Sequence, residues 1–157
     1  MLLSHWAAWA FESVTGWRWH RRLRRETGEV YMDRWQLLRS KRLSIYINRI
    51  NMPDYDQLPH THPWVESYSF KFWGSYTEET FFRGQVYRKL MSHGLRVPPR
   101  WSRIPEIHRI TELTNGKPCW TLFFGVKVAS KWGFVQEDGK LIPAAVRKAQ
   151  RGVTSEE

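Results

Sequence analysis

Cysteine is nearly absent, with Cys119 the only one in 157 residues. One thiol excludes an intrachain disulfide, so the fold must hold by packing, and a reducing, cytoplasmic setting is expected. Long apolar runs are also missing. No window approaches the roughly 18 consecutive apolar residues of a membrane span. The apolar opening, residues 2–11, is cut off by Glu12 and then by arginines, without the basic-first order of a secretory signal. Acid is scarce: 15 Asp and Glu stand against 25 Lys and Arg, a net charge of +10. Arg18, Arg21, Arg22, Arg24 and Arg25 concentrate that excess near the start. Such a cluster attracts phosphate on a nucleic acid, nucleotide or lipid, although charge runs are more often simply solvated faces.

Aromatics are abundant, with 10 Trp, 6 Tyr and 8 Phe, enough to argue against a disordered chain. The length fits one domain with a real core. Residues 3–25 read as a helix: Trp6, Trp9, Ala10, Ser13, Val14 and Trp17 recur at three- and four-residue spacing. Its tryptophans are expected to pack on the rest of the domain. An interfacial helix on an anionic surface is the sharper alternative, weakened because the arginines gather at one end.

From residue 30 the period falls to two. Strands are expected over 30–38, 43–50, 66–72, 76–82, 85–91, 107–113 and 119–128, with a hairpin around 137–140 joining 132–135 to 141–142. Asn115-Gly116 marks a tight turn. Residues 143–151 suit a short closing helix. Many short antiparallel strands at this spacing predict an all-β fold, a single small antiparallel barrel or sandwich. The expected division is a basic, Trp-rich segment over 1–27, the β domain over 28–142, and a helix with a frayed tail over 143–157.

One constellation carries chemistry. His60 and His62, one residue apart, project to the same face of an extended segment. Neutral imidazole is the commonest ligand of zinc, iron, copper and nickel, and His108 on a later strand is the third candidate. His5, His20 and His93 have no partner at ligand spacing. Histidine donation with one or no carboxylate and open positions suits Fe(II), with Zn, Mn or Ni as competitors. Arg49, alternating with Ile45 and Ile47, is a candidate for facing the interior and holding a carboxylate or phosphate. Cys119 reads as a small core residue. No spacing suggests a Ser-His-Asp or paired-carboxylate enzyme.

The run His60-Thr61-His62-Pro63-Trp64-Val65-Glu66, followed by Gly74, resembles the first motif of the cupin superfamily, and Pro105-Glu106-Ile107-His108 loosely resembles its second. The resemblance spans roughly residues 30–136. His-Pro-Trp, the His-Arg-Ile at His108 and Trp132-Gly133-Phe134 are similar to short cupin-like proteins of bacteriophages and their hosts. It implies a cupin or jelly-roll barrel and a metal held by His60, His62, His108 and Glu66. The glycine before the first motif is missing, as are the Gly and Asn of the second. Along a straight strand Glu66 stands about 13 Å from His62, so it reaches the site only if Pro63 bends the chain. Glu106, two residues from His108 and so on its face, is the alternative carboxylate, either as ligand or as a support behind the rings. Tyr68 and Phe70, with Phe72, would form a dry wall or contact substrate.

Three functions follow. The first is a metal-dependent, dioxygenase- or hydroxylase-type enzyme on a small polar substrate. The second is a non-catalytic cupin-like module for a nucleotide or other anion, such as a phage accessory protein, compatible with a homodimer. The third is a nucleic-acid binder working through the arginine cluster, with steep salt dependence.

Overall fold

The computed structural model describes residues 20–25, 27–54, 58–82, 85–91, 101–103, 107–128, 132–136 and 138–150. Eleven strands and one helix occupy them: β1 His20–Arg24, β2 Val30–Arg39, β3 Leu43–Ile50, β4 Trp64–Trp73, β5 Tyr76–Phe82, β6 Gln85–Met91, β7 Trp101–Arg103, β8 His108–Leu113, β9 Cys119–Val128, β10 Gly133–Val135, β11 Leu141–Pro143 and α1 Ala144–Gln150. The period-two pattern thus yields strands close to where alternation predicts them. Asn115 and Gly116 both adopt positive φ, 55° and 62°, as that dipeptide permits, in the turn between β8 and β9.

The strands form two layers. One sheet has the order β1-β2-β3-β9-β4-β7, and a second contains β6-β5-β8 and the hairpin β10-β11. Every described pairing within these strands is antiparallel. His60 joins the parts of the second layer, bridging His108 of β8 on one side and Phe134 of β10 on the other. No strand of the first sheet pairs with one of the second among the described residues, so the described pairings trace two facing antiparallel sheets.

The core divides by face. Ile50, Tyr76, Ile110, Leu113 and Cys119 pack between the layers. The opposite face of the large sheet carries a second cluster, Trp35 against Trp120 with Ile47. Trp35 lies nearly parallel between Trp120, at 5.4 Å and 11°, and His20, at 4.8 Å and 16°. Part of the outward face is therefore packed as well, although Val126 and Phe72 on it remain exposed.

Two expectations need correcting. Residues 20–24 are not the end of a helix: they form β1, registered from His20↔Trp35 to Leu23↔Met32. The remainder of the expected 3–25 helix, with Arg18, lies outside the described residues. The second correction concerns β4. Glu66, Tyr68 and Phe70 do share one face, opposite Val126, Phe124 and Leu122. The inward face, opposite Gly125, Phe123 and Thr121, instead carries Ser67, Ser69 and Lys71. Arg49 likewise points outward, opposite Trp120 and Asp33.

Candidate metal centre

The segment before β4 is held on both sides. His60 N–H donates to His108 O (2.9 Å) and His108 N–H to His60 O (3.1 Å), while Thr61 N–H donates to Gly133 O (2.9 Å) and Val135 N–H to Pro59 O (2.8 Å). Directly opposed residues in an antiparallel pairing share a face, so this backbone ladder sets the rings of residues 60 and 108 side by side. Their centroids are 4.7 Å apart. His62 follows two residues after His60, and its ring lies 5.1 Å from that of His60 and 4.9 Å from that of His108.

His60, His62 and His108 form a group able to hold a metal ion, each offering one ring nitrogen, with all three nitrogens within 4.8 Å of one another. Metal–imidazole bonds of about 2.0–2.1 Å put nitrogens sharing an ion roughly 3–4 Å apart, so this spread needs only small adjustment. Nε2 of His62 and Nε2 of His108 approach to 2.6 Å, a gap with room for a single proton. Burial pushes the His62 pKa well below its ordinary value, and the neighbouring His108, His60 and Arg34 push the same way. A neutral ring is the form that binds metal. The donor set fits a divalent cation.

Carboxylates stand behind two of the rings. Glu78, on β5 and 1% exposed, places Oε1 3.1 Å from Nδ1 of His108, itself 5% exposed. The two atoms are out of line for a well-formed hydrogen bond, yet their proximity favours a proton on Nδ1 and leaves the Nε2 lone pair toward His62. Asp54 is fixed to β8 by Ile110 N–H, which donates to Oδ2 (2.7 Å), and that oxygen lies 3.7 Å from Nδ1 of His60. An acidic partner for each was legible only in part. In residues 76–82, Tyr76, Glu78 and Thr80 share a face, but alternation alone does not reveal that Glu78 rather than Glu79 turns inward.

Glu66 is not in the histidine group; its carboxylate accepts a hydrogen bond from the Tyr68 hydroxyl (2.6 Å) on the outward face. Tyr68 and Phe70 follow it there, so they are not the dry wall. That wall is Phe123 and Trp64, each 6.0 Å from the His62 ring, with Tyr46 beyond and Phe134 6.4 Å from His60. Trp64 lies over Gly125, where a Cβ would meet the indole at 2.5 Å, so only glycine lets the ring settle there. Glu106 lies outside the described residues. Arg49 sits outward, 3.9 Å from Asp33 and over the Trp120 ring. The described arginines of the basic cluster do not form one stripe: Arg22 lies 3.7 Å from Asp33, Arg24 donates to Gly28 O, and Arg25 donates to Pro53 O. Among the described residues no helix is long and apolar enough to cross a membrane.

No protein-family model and no curated protein matches the sequence. Solved structures do match in fold. A cupin-2 domain from Rhodospirillum rubrum superposes with TM-score 0.51 at 12% identity, over 88% of this chain and 86% of that one. The Fe(II) form of HppE, with an alternative substrate, gives 0.50 at 13% identity, over 68% of this chain and 55% of that one. Oxalate decarboxylase of B. subtilis gives 0.51 at 16% identity, over 87% of this chain and 36% of that one. The chain thus spans about half of HppE and about a third of the decarboxylase. Its fold is cupin-like.

Proposed function

We propose that His60, His62 and His108 hold a divalent metal, Fe(II) in preference to Zn, Mn or Ni, in an enzyme of the dioxygenase or hydroxylase type acting on a small polar molecule. The observation that carries this is the convergence of three imidazole nitrogens within 4.8 Å from segments 46 residues apart. An all-nitrogen site with positions left open suits Fe(II), and HppE, which shares the fold, is an Fe(II) protein by name. When bound, such a metal supplies Lewis-acid and redox chemistry to the molecule beside it.

The chain's own residues have separate tasks. Burial keeps His62 neutral, so its lone pair is available at neutral pH. Glu78 and Asp54 orient the rings of His108 and His60 through Nδ1. Phe123, Trp64 and Tyr46 exclude water along one side. Ser67, Ser69, Asn48 and Thr121, all buried on the inward face, give the interior a polar floor suited to hydroxyl or carbonyl groups.

Elemental analysis after anaerobic loading with Fe(II) tests the proposal. About one metal per chain is expected in the wild type, and most of it should be lost in His60→Ala and His62→Ala. Wild-type protein that stays metal-free under these conditions would sink the reading.

A further inference from the structure

Arg34 occupies an unusual position for a cation. It lies on β2 opposite Asn48, and Asn48 lies opposite Thr121, so its side chain shares the inward face of the large sheet with the wall of the histidine site. Nε donates to Asn48 Oδ1 (2.8 Å), Nη2 approaches Met32 Sδ (3.4 Å), and the guanidinium stands 5.1 Å over the Tyr46 ring. None of these partners carries a negative charge. Among the described residues no carboxylate forms an ion pair with Arg34, and Nη1 makes no hydrogen bond. Partly buried charges are ordinarily paired.

The neighbouring strand makes the imbalance larger. Arg21 of β1 is directly opposite Arg34 in the register, and like charges so placed repel. Burial lowers the Arg34 pKa; Tyr31 and Tyr46 partly offset that, and Arg21 lowers it further. The Arg34 charge is also felt at His62. Between them runs one aromatic patch: Tyr46 is 6.0 Å from Phe123, and Phe123 is 6.0 Å from His62. Arg49, which the sequence suggested for this role, faces the other way.

We infer that Arg34, with Arg21 beside it, is an oxyanion subsite that anchors the carboxylate or phosphate of a small molecule whose other end meets the three histidines. The planar guanidinium fork fits two oxygens of such a group, and the anion relieves the Arg21–Arg34 repulsion. The inference deepens the metal-centre reading and rests on it only for what the far end of the ligand touches. A recessed arginine hydrogen-bonded to Asn48 favours a small molecule over a nucleic-acid backbone, which would engage the exposed arginines of β1.

The test uses full-length, metal-loaded protein titrated with inorganic phosphate and with acetate at constant ionic strength, followed by calorimetry and tryptophan fluorescence. Arg34→Gln should weaken binding about tenfold or more, as loss of charge-assisted hydrogen bonds does, with metal content unchanged. Arg34→Lys, which keeps the charge without the fork, should fall between, and the exposed Arg21→Gln should cost about two- to fivefold. These two variants carry the test if Arg34→Gln does not fold. His62→Ala should shed metal yet still bind phosphate, which separates failure of the metal centre from failure of the anion subsite. Wild-type protein that binds neither anion, or Arg34 variants that bind as wild type does, would overturn the inference, as would binding confined to an oligonucleotide.

Discussion

Glu78 is nearly inaccessible to water and faces Nδ1 of His108, the nitrogen of that ring that points away from the site. The charge of buried Lys71 is felt here as well, and the position of Glu78 beside His108 suits it to set that ring's tautomer and angle. Glu78→Gln keeps the shape and removes the charge. It should weaken metal binding about 10- to 100-fold in a competition titration, and unchanged affinity would remove Glu78 from the site. Cys119 gives the opposite case. It is 0% exposed, and burial pushes its thiol up to about 12, so the reactive thiolate is disfavoured at neutral pH. In the folded protein it should resist iodoacetamide at pH 8 and react once denaturant is added; rapid native labelling would contradict its core placement. At this scale the three histidines were legible, because ligand type and spacing are written in the chain. Glu78 was not, because Glu78 and Glu79 differ only in which way the strand turns them, and Glu79 is satisfied elsewhere by Arg109 at 2.6 Å.

Strands were legible wherever alternation ran for several residues, as in β3, β5 and β9. Which face turned inward was not. On β4 the larger residues Tyr68 and Phe70 suggest the buried side, yet Ser67, Ser69 and Lys71 are the ones enclosed. The reason is that the outward face also packs large residues, Trp35 against Trp120 among them, so size no longer marks the core. The same ambiguity misplaced Arg49. β1 was missed because His20-Arg21-Arg22-Leu23-Arg24 has no apolar alternation; it is held by pairing with β2 and by His20 stacked on Trp35. The outward cluster should then be energetically separate from the metal site. Trp35→Ala deletes a side chain only 1% exposed and should cost about 3–5 kcal/mol in denaturant unfolding. The metal content of the folded fraction should nonetheless stay at the wild-type level, since Trp35 is on the far side of the sheet. Loss of metal in this variant would show that the two faces are coupled.

Across the whole molecule, the histidine group lies where the two parts of the second layer meet. His60 bridges β8 and β10, and the hairpin β10-β11 is held to it by backbone bonds of Pro59 and Thr61. A cation gripping residues 60, 62 and 108 would tie that bridge to β8 through side chains as well as backbone. Any ligand that binds only the folded state stabilises it by mass action, about 2.7 kcal/mol at a free concentration one hundred times Kd. For a domain of this size each kcal/mol moves Tm by about 2–4 °C, so saturating metal should raise Tm by roughly 5–10 °C. Chelation should reverse the shift. In His62→Ala the melting temperature should no longer respond to metal or chelator, because the third donor that makes the site a chelate is gone. A metal-dependent shift that survives in that variant would mean the stabilising ion binds elsewhere, and the fold would then owe nothing to these three rings.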